Sequence, residues 1–476
     1  MLERSTPMGF TTFTTCGMLS TALLLGGCMS FIPPYERPAA PVAPAYPAEL
    51  LPASVAGLAA AGDVAWQRYF TDARLQQLIR LALANNRDLR VAVLNIEQAR
   101  GAYQIRRADE LPTVGAGLSA QRAASNGGLV NSYAVGLAVT GYELDLFGRV
   151  RALSQQALAQ YLATEEARKA VQIALIAAVA SAHVNLIADD DLLRVTRETL
   201  GTREESLRLT KLKFDNGAAS ELDYRQAEQL FEGARATLAQ TLRQRLQDEN
   251  ALVLLVGQPL PADLPAAAPL TAPQVATELP AGLPSELLTR RPDVRAAEQQ
   301  LMAANANIGA ARAAFFPRIA LTANAGTASA QLGGLFKAGT WALTGGAQAL
   351  ETIFDAGRNQ ANLDVAKVNR EIAVAQYERA IQTAFREVQD ALAGRATLGE
   401  QLRAQDAQTS AAQVSYKLAD LRYRNGAASF LDVLDAQRSL AAAQQALVQV
   451  RSLQALNMVA MYKVLGGGWR DGDAPP

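Results

Sequence analysis

One segment of the chain is written twice, and this repetition restricts the available folds more than any other feature. Phe214-Asp215-Asn216-Gly217-Ala218-Ala219-Ser220 returns as Tyr423-Arg424-Asn425-Gly426-Ala427-Ala428-Ser429, 209 positions later. Gly148-Arg149 returns as Gly357-Arg358 at the same offset, and Pro112 returns as Pro317 at 205. The chain is therefore two copies of one supersecondary unit, each reading helix, two strands, long helix, turn, helix. Proline marks the seams. Seven prolines fall in 33–52 and eight in 259–292, which read as an extended tether and a linker between halves. The organisation predicted is a lipidated amino terminus and tether over 28–60, a first repeat over 61–258, a linker over 259–283, a second repeat over 284–465 and a tail over 466–476.

Helical windows are expected at 71–110, 150–214, 219–255, 284–314, 357–424 and 428–462, where Ala, Leu, Gln, Glu and Arg dominate. Leu186, Leu193, Leu200 and Leu207 recur at sevens, and Val414, Leu418 and Leu421 at fours and threes, as in a coiled-coil seam. A window of about 65 residues extends almost 100 Å at about 1.5 Å per residue. The two shorter helices of the first half, placed end to end, could match it.

Four windows are not helical: 113–121, 132–142, 318–327 and 339–350. Tyr133, Val135, Leu137 and Val139 alternate with Ala134, Gly136, Ala138 and Thr140. An apolar face opposite a small or polar one over about ten residues suits a membrane β-barrel strand, and suits a soluble hairpin equally. Four strands cannot close a barrel, since the smallest have about eight, so a barrel needs several copies of the chain. Tyr133, Phe336 and Trp341 are candidates for an interfacial aromatic girdle.

Several function classes are excluded. Equal numbers of basic and acidic residues, 45 each, remove the electrostatic footprint of a nucleic-acid binder. One histidine, His183, and two cysteines, Cys16 and Cys28, are too few for a His- or Cys-based metal site, and a Ser-His-Asp triad would depend on that one His. Internal apolar runs read as shorter than the roughly eighteen residues of a membrane helix. No cofactor is expected, and no catalytic residue is assigned.

The amino terminus reads as an address. Residues 16–25 are apolar and too short to span a bilayer, so 1–27 is expected to be a signal peptide. Leu25-Gly26-Gly27-Cys28 resembles a bacterial lipobox, which makes Cys28 the lipidated first residue of the mature chain. By the same resemblance, Met29 rather than Asp after the Cys favours the outer membrane. Acyl chains contribute about 0.8 kcal/mol per buried CH₂, an anchor rather than a span.

Tyr142-Glu143-Leu144-Asp145-Leu146-Phe147-Gly148-Arg149, Arg290-Arg291-Pro292-Asp293-Val294, Tyr423-Arg424-Asn425-Gly426 and Leu434-Asp435-Ala436-Gln437-Arg438 complete the pattern. With the lipobox, tether and duplicated halves, they resemble the TolC family of outer-membrane efflux proteins over 60–465, most closely its lipoprotein branch, which includes OprM. The resemblance implies a mainly α protein with a membrane β part. It would be a homotrimer with an α-helical barrel and a shared twelve-stranded β-barrel, four strands from each protomer. It further implies a conduit rather than an enzyme. The implied partners are a periplasmic adaptor, an inner-membrane transporter of the resistance-nodulation-division type and outer-membrane lipid. A lipid-anchored periplasmic coiled-coil scaffold, a metal-efflux outlet and a type I secretion outlet are the alternatives.

The tips after Gly217 and Gly426 concentrate the functional signals. Ser220 with Asp223, and Ser429 with Asp432, have capping-box spacing, so a helix start accounts for both carboxylates. Asp435 lies beyond its box, and its first-repeat equivalent is Gln226, so capping does not account for it. The resemblance places Asp432 and Asp435 at a closed periplasmic gate, where a ring of six carboxylates would raise pKa values and attract cations. Tyr423 and Asp223 match gate-tether positions. Ala428 stands where the family's tether has Arg. Asp293 beside Pro292 reads as a helix start.

Overall fold

The computed structural model describes residues 29–47, 49, 64–125, 128–272, 275 and 290–467. Cys28 and the signal segment lie outside them. The helices are α1 Trp66–Tyr69, α2 Ala73–Asn85, α3 Arg87–Ala108, α4 Arg149–Asp215, α5 Glu221–Val256, α6 Pro292–Ala313, α7 Arg358–Arg424 and α8 Phe430–Val464. The strands are β1 Val114–Ser125, β2 Gly128–Glu143, β3 Arg318–Ser329 and β4 Trp341–Leu350. The predicted order of each half is present, and α4 and α7 are both 67 residues long.

Packing divides the chain differently from the repeats. One unit is built on Ile96–Thr164 and Ala297–Tyr377 with the amino-terminal segment up to Ala39. The other comprises Ala40–Asn95, Glu165–Ala296 and Glu378–Pro476. Each takes corresponding pieces from both halves, so a repeat is a sequence unit and not a packing unit.

The first unit holds the sheet, antiparallel throughout in the order β1-β2-β3-β4. The two hairpins meet at β2 and β3, where Gly136 faces Gly326. A Cβ on Gly136 would lie 2.5 Å from the Ala325 carbonyl and 2.7 Å from Gly326 Cα. Only glycine permits that approach, so the junction of the two repeats is fixed by a glycine pair. Every residue of β4 is exposed, and Leu118, Leu137, Trp341 and Leu343 are among the exposed large apolar residues. Tyr133 pairs with Ser329, and Trp341 with Thr327, which puts both aromatics at one end of the sheet.

Met29 to Arg37 form a strap within this unit. Phe31 stacks on Phe316 at 4.6 Å, and Phe316 on Phe147 at 4.9 Å. Asn305 donates to the Pro33 carbonyl at 2.8 Å. Arg37 holds Glu298 through two bonds of 2.7 and 3.0 Å, and the Tyr35 hydroxyl donates to the same carboxylate at 2.9 Å. The tether is thus seated on this unit over this part of its length.

The second unit has its own apolar core. Tyr69, Phe70 and Tyr462 pack as a buried aromatic group with ring centroids 5.0–5.3 Å apart. Asp72 caps α2 by accepting from Arg74 N at 2.7 Å and Leu75 N at 3.3 Å. Its other oxygen accepts from Ala268 N at 3.1 Å and lies 2.9 Å from His183 Nε2. Burial pushes this carboxyl up, but the bonds from His183 and Ala268 outweigh it and hold it below the usual range.

Three expectations need correction. The 71–110 window is two helices, because Asn86 ends α2, caps α3 through Leu89 N at 2.9 Å and donates to the Leu255 carbonyl at 2.9 Å. Within α4 an 18-residue window does reach a mean hydropathy of 1.9, and 56% of it is buried. Its length of apolar sequence reflects burial on many sides, with Ile176, Val179 and Val184 essentially inaccessible. Arg291 is more than part of a helix start. It is buried and bonds Asp293 at 2.6 Å, Glu387 at 2.8 Å and the Val464 carbonyl at 3.3 Å.

Candidate functional site

Both long helices end in the same turn. Gly217 and Gly426 have φ of 70° and 72°, the left-handed conformation that glycine adopts without strain. Ala218 N returns to the Lys213 carbonyl at 2.7 Å and Ala427 N to the Arg422 carbonyl at 2.8 Å, which satisfies the last helical carbonyls. Nothing lies within 4 Å of a Cβ built on either glycine, so backbone conformation and not space selects the residue.

The next helix starts in a reciprocal cap on both sides. Ser220 Oγ accepts from Asp223 N at 3.1 Å while Asp223 accepts from Ser220 N at 3.1 Å. Ser429 Oγ accepts from Asp432 N at 3.3 Å while Asp432 accepts from Ser429 N at 2.9 Å. The Ser429 hydroxyl, then its backbone N–H, hold the Asp432 carboxyl below its ordinary range. Within one protomer this local effect opposes the rise that crowding in a ring would cause.

Asp435 has a different environment. It takes no part in the cap, is 64% exposed and pairs with Arg438 at 2.7 Å. Tyr423 is held from the other repeat by Lys213, whose Nζ donates to its hydroxyl at 2.9 Å and stands 4.2 Å from its ring centroid. Tyr423 also packs on Phe430, 5.4 Å away, beside the buried group of Ala227, Val433 and Leu434. The predicted site residues are therefore not gathered into one cluster. Asp223 and Asp432 serve separate caps, Tyr423 faces Lys213, and Asp435 faces Arg438. Lys213 was missed, although its repeat equivalent, Arg422, is also basic and also sits in the last turn of its helix.

The seam residues separate in an informative way. Leu186 and Leu193 are buried, but Val414, Leu418 and Leu421 remain 56%, 54% and 57% exposed. A heptad-like apolar stripe on α7 is thus open in a single chain. Among the described residues, no group of three or more His, Cys, Asp or Glu side chains could hold a metal ion.

The family described as outer membrane efflux protein matches residues 78–258 and 283–467, two blocks that reproduce the duplication. The antibiotic efflux pump outer membrane protein ArpC of Pseudomonas putida is 50% identical over 462 residues, 94% of each chain. The toluene efflux pump outer membrane protein TtgC of the same species is similar to the same extent, 50% over 462 residues and 94% of each chain. The open-state MtrE outer membrane channel of Neisseria gonorrhoeae superposes with a TM-score of 0.83 at 42% identity, covering 92% of this chain and 98% of that one.

Proposed function

The chain belongs to the outer membrane efflux protein family, and from that premise we propose that it forms a lipid-anchored, trimeric exit duct with an acidic periplasmic gate. It is an outer-membrane efflux channel of the TolC type. The observation that carries the trimer is the open four-stranded sheet: among the described residues β1 and β4 each pair on one side only, and both of these edge strands are exposed. Free, apolar strand edges demand partners. Three copies supply twelve strands, and the exposed stripe of Val414, Leu418 and Leu421 gives α7 a matching surface for a neighbour. Such a duct transports by enclosing a path and performs no covalent chemistry. It receives its cargo from an inner-membrane transporter through a periplasmic adaptor. Relatives named for antibiotic and toluene efflux favour drugs or other small organic molecules as cargo.

Asp435 and Asp432 form the gate in this reading. Asp432 is committed to its cap, whereas Asp435 is exposed and free of any capping role, so Asp435 sets ion preference. Asp435→Asn removes three charges per trimer at constant side-chain size. In planar bilayers, cation preference and block by multivalent cations should weaken in this variant. Ser429→Ala instead should leave that preference intact and cost about 1 kcal/mol of helix stability through the lost cap. Wild-type selectivity in Asp435→Asn would locate the gate elsewhere.

Cys28 carries the lipid in this reading. Cys28→Ser should lose metabolic palmitate labelling while the trimer still inserts, because the strands present their own apolar faces and Met29 to Arg37 have an independent seat. Persistent label in the variant would rule out this residue as the acceptor.

A further inference from the structure

We propose that the cleft between Arg203 on α4 and Arg438 on α8 is a binding site for a small inorganic anion of the chloride class. Both arginines line a cleft of about 220 Å³ with Thr199, Thr237 and Gln445, and no carboxylate is among its lining residues. Arg203 commits one nitrogen, Nη1, to the Leu230 carbonyl at 3.0 Å. Its Nε is buried and has no hydrogen-bond partner. A buried guanidinium N–H without an acceptor is costly, and an anion is the acceptor that best offsets it.

Of the nearby acids Glu198 is engaged elsewhere, whereas Asp435 already holds Arg438, whose Nε also donates to the Leu434 carbonyl at 3.5 Å, so Arg203 is the arginine with the open donor. Asp435 accepts from Arg438 Nη2 at 2.7 Å, and Glu198 pairs with Arg194 at 3.3 Å. Burial first, and the facing charge of Arg438 second, push the Arg203 guanidinium below its ordinary pKa. A bound anion opposes both effects, because it sits between two like charges. The cleft also exceeds the roughly 30 Å³ that one water occupies, so a halide enters with part of its hydration. Occupancy would weaken the hold of Arg438 on Asp435, a consequence that rests on the gate reading while the site itself does not.

The test uses the full-length trimer in detergent, with bromide as the probe. Crystals soaked in sodium bromide should give an anomalous peak between the two guanidinium groups. That peak should vanish in Arg203→Met and in Arg438→Met, each checked for trimer assembly by size-exclusion chromatography. In solution, chloride should raise the melting temperature above that in the bulkier gluconate at equal ionic strength, and Arg203→Met should lose this difference. No bromide peak in the wild type, or a peak that persists in Arg203→Met, overturns the proposal. Because no arm measures conduction, failure of the gate reading would leave this result unaffected.

Discussion

Gly326→Val is expected to abolish assembled channel. A Cβ at this position would stand 2.6 Å from Gly136 Cα on the neighbouring strand. The obstacle is backbone, so no rotamer change relieves it, and the cost exceeds the about 1–3 kcal/mol of ordinary overpacking. Strand pairing between β2 and β3 must open, and among the described residues this is the only strand pairing that joins the hairpins of the two repeats. The expected result is loss of the trimer band and of efflux in cells that depend on this outlet. Gly345→Ala provides the control. Its Cβ would meet nothing nearer than the Thr322 carbonyl at 3.9 Å, so assembly should be unchanged. A wild-type trimer yield from Gly326→Val would mean the strands can separate there without consequence.

Asp72→Ala should strongly destabilise the second unit. It removes the cap of α2, the acceptor for Ala268 N and the partner of buried His183 together. A lost cap costs about 1 kcal/mol, and each buried group left unsatisfied about 1–3 kcal/mol, which puts the total near 3 kcal/mol or above. The folded carboxyl titrates below its unfolded value. The folded state therefore binds fewer protons there, and the stabilisation is present above about pH 4 and lost as pH falls through the folded pKa. Thermal melts of the detergent-solubilised protein should show a large drop at pH 7 in the variant, and a smaller difference from wild type near pH 3. Equal differences at both pH values would remove the Asp72 charge from the account.

Much of this architecture was legible because the repeat exposes it. Gly217 and Gly426 lie in matching turns, and Ser220 and Ser429 in matching caps, so each copy identifies the other's local conformation. The strands were legible as windows, but their ends moved: β1 continues to Ser125 and β2 starts at Gly128, because pairing continues past the apolar alternation. The break at Asn86 was missed, since the residue is compatible with a helix until Leu255 supplies its acceptor from another element. The same limit applies to Arg291 and His183. Both look local in sequence, and both are defined by groups about one hundred positions or more away, Glu387 and Asp72. Asp435 was distinguishable by comparison of the repeats alone, and its partner Arg438 lies three positions on along the same helix and was legible too, but the Lys213 bond to Tyr423 required the fold.

The strap at Met29 to Arg37 has a consequence for biogenesis. Tyr35 and its acceptor Glu298 are separated by 263 positions, so the strap is synthesised long before the helix that receives it exists. Closing so long a loop costs little more than closing a short one, since each doubling adds only about 0.6 kcal/mol. The strap can therefore remain unseated through most of synthesis and still dock once α6 is in place. Its docking reports that α6 has arrived. A product that ends before α6 leaves Phe31 and Arg37 without their seats, and an unseated terminal segment is the kind of chain that proteases cleave first.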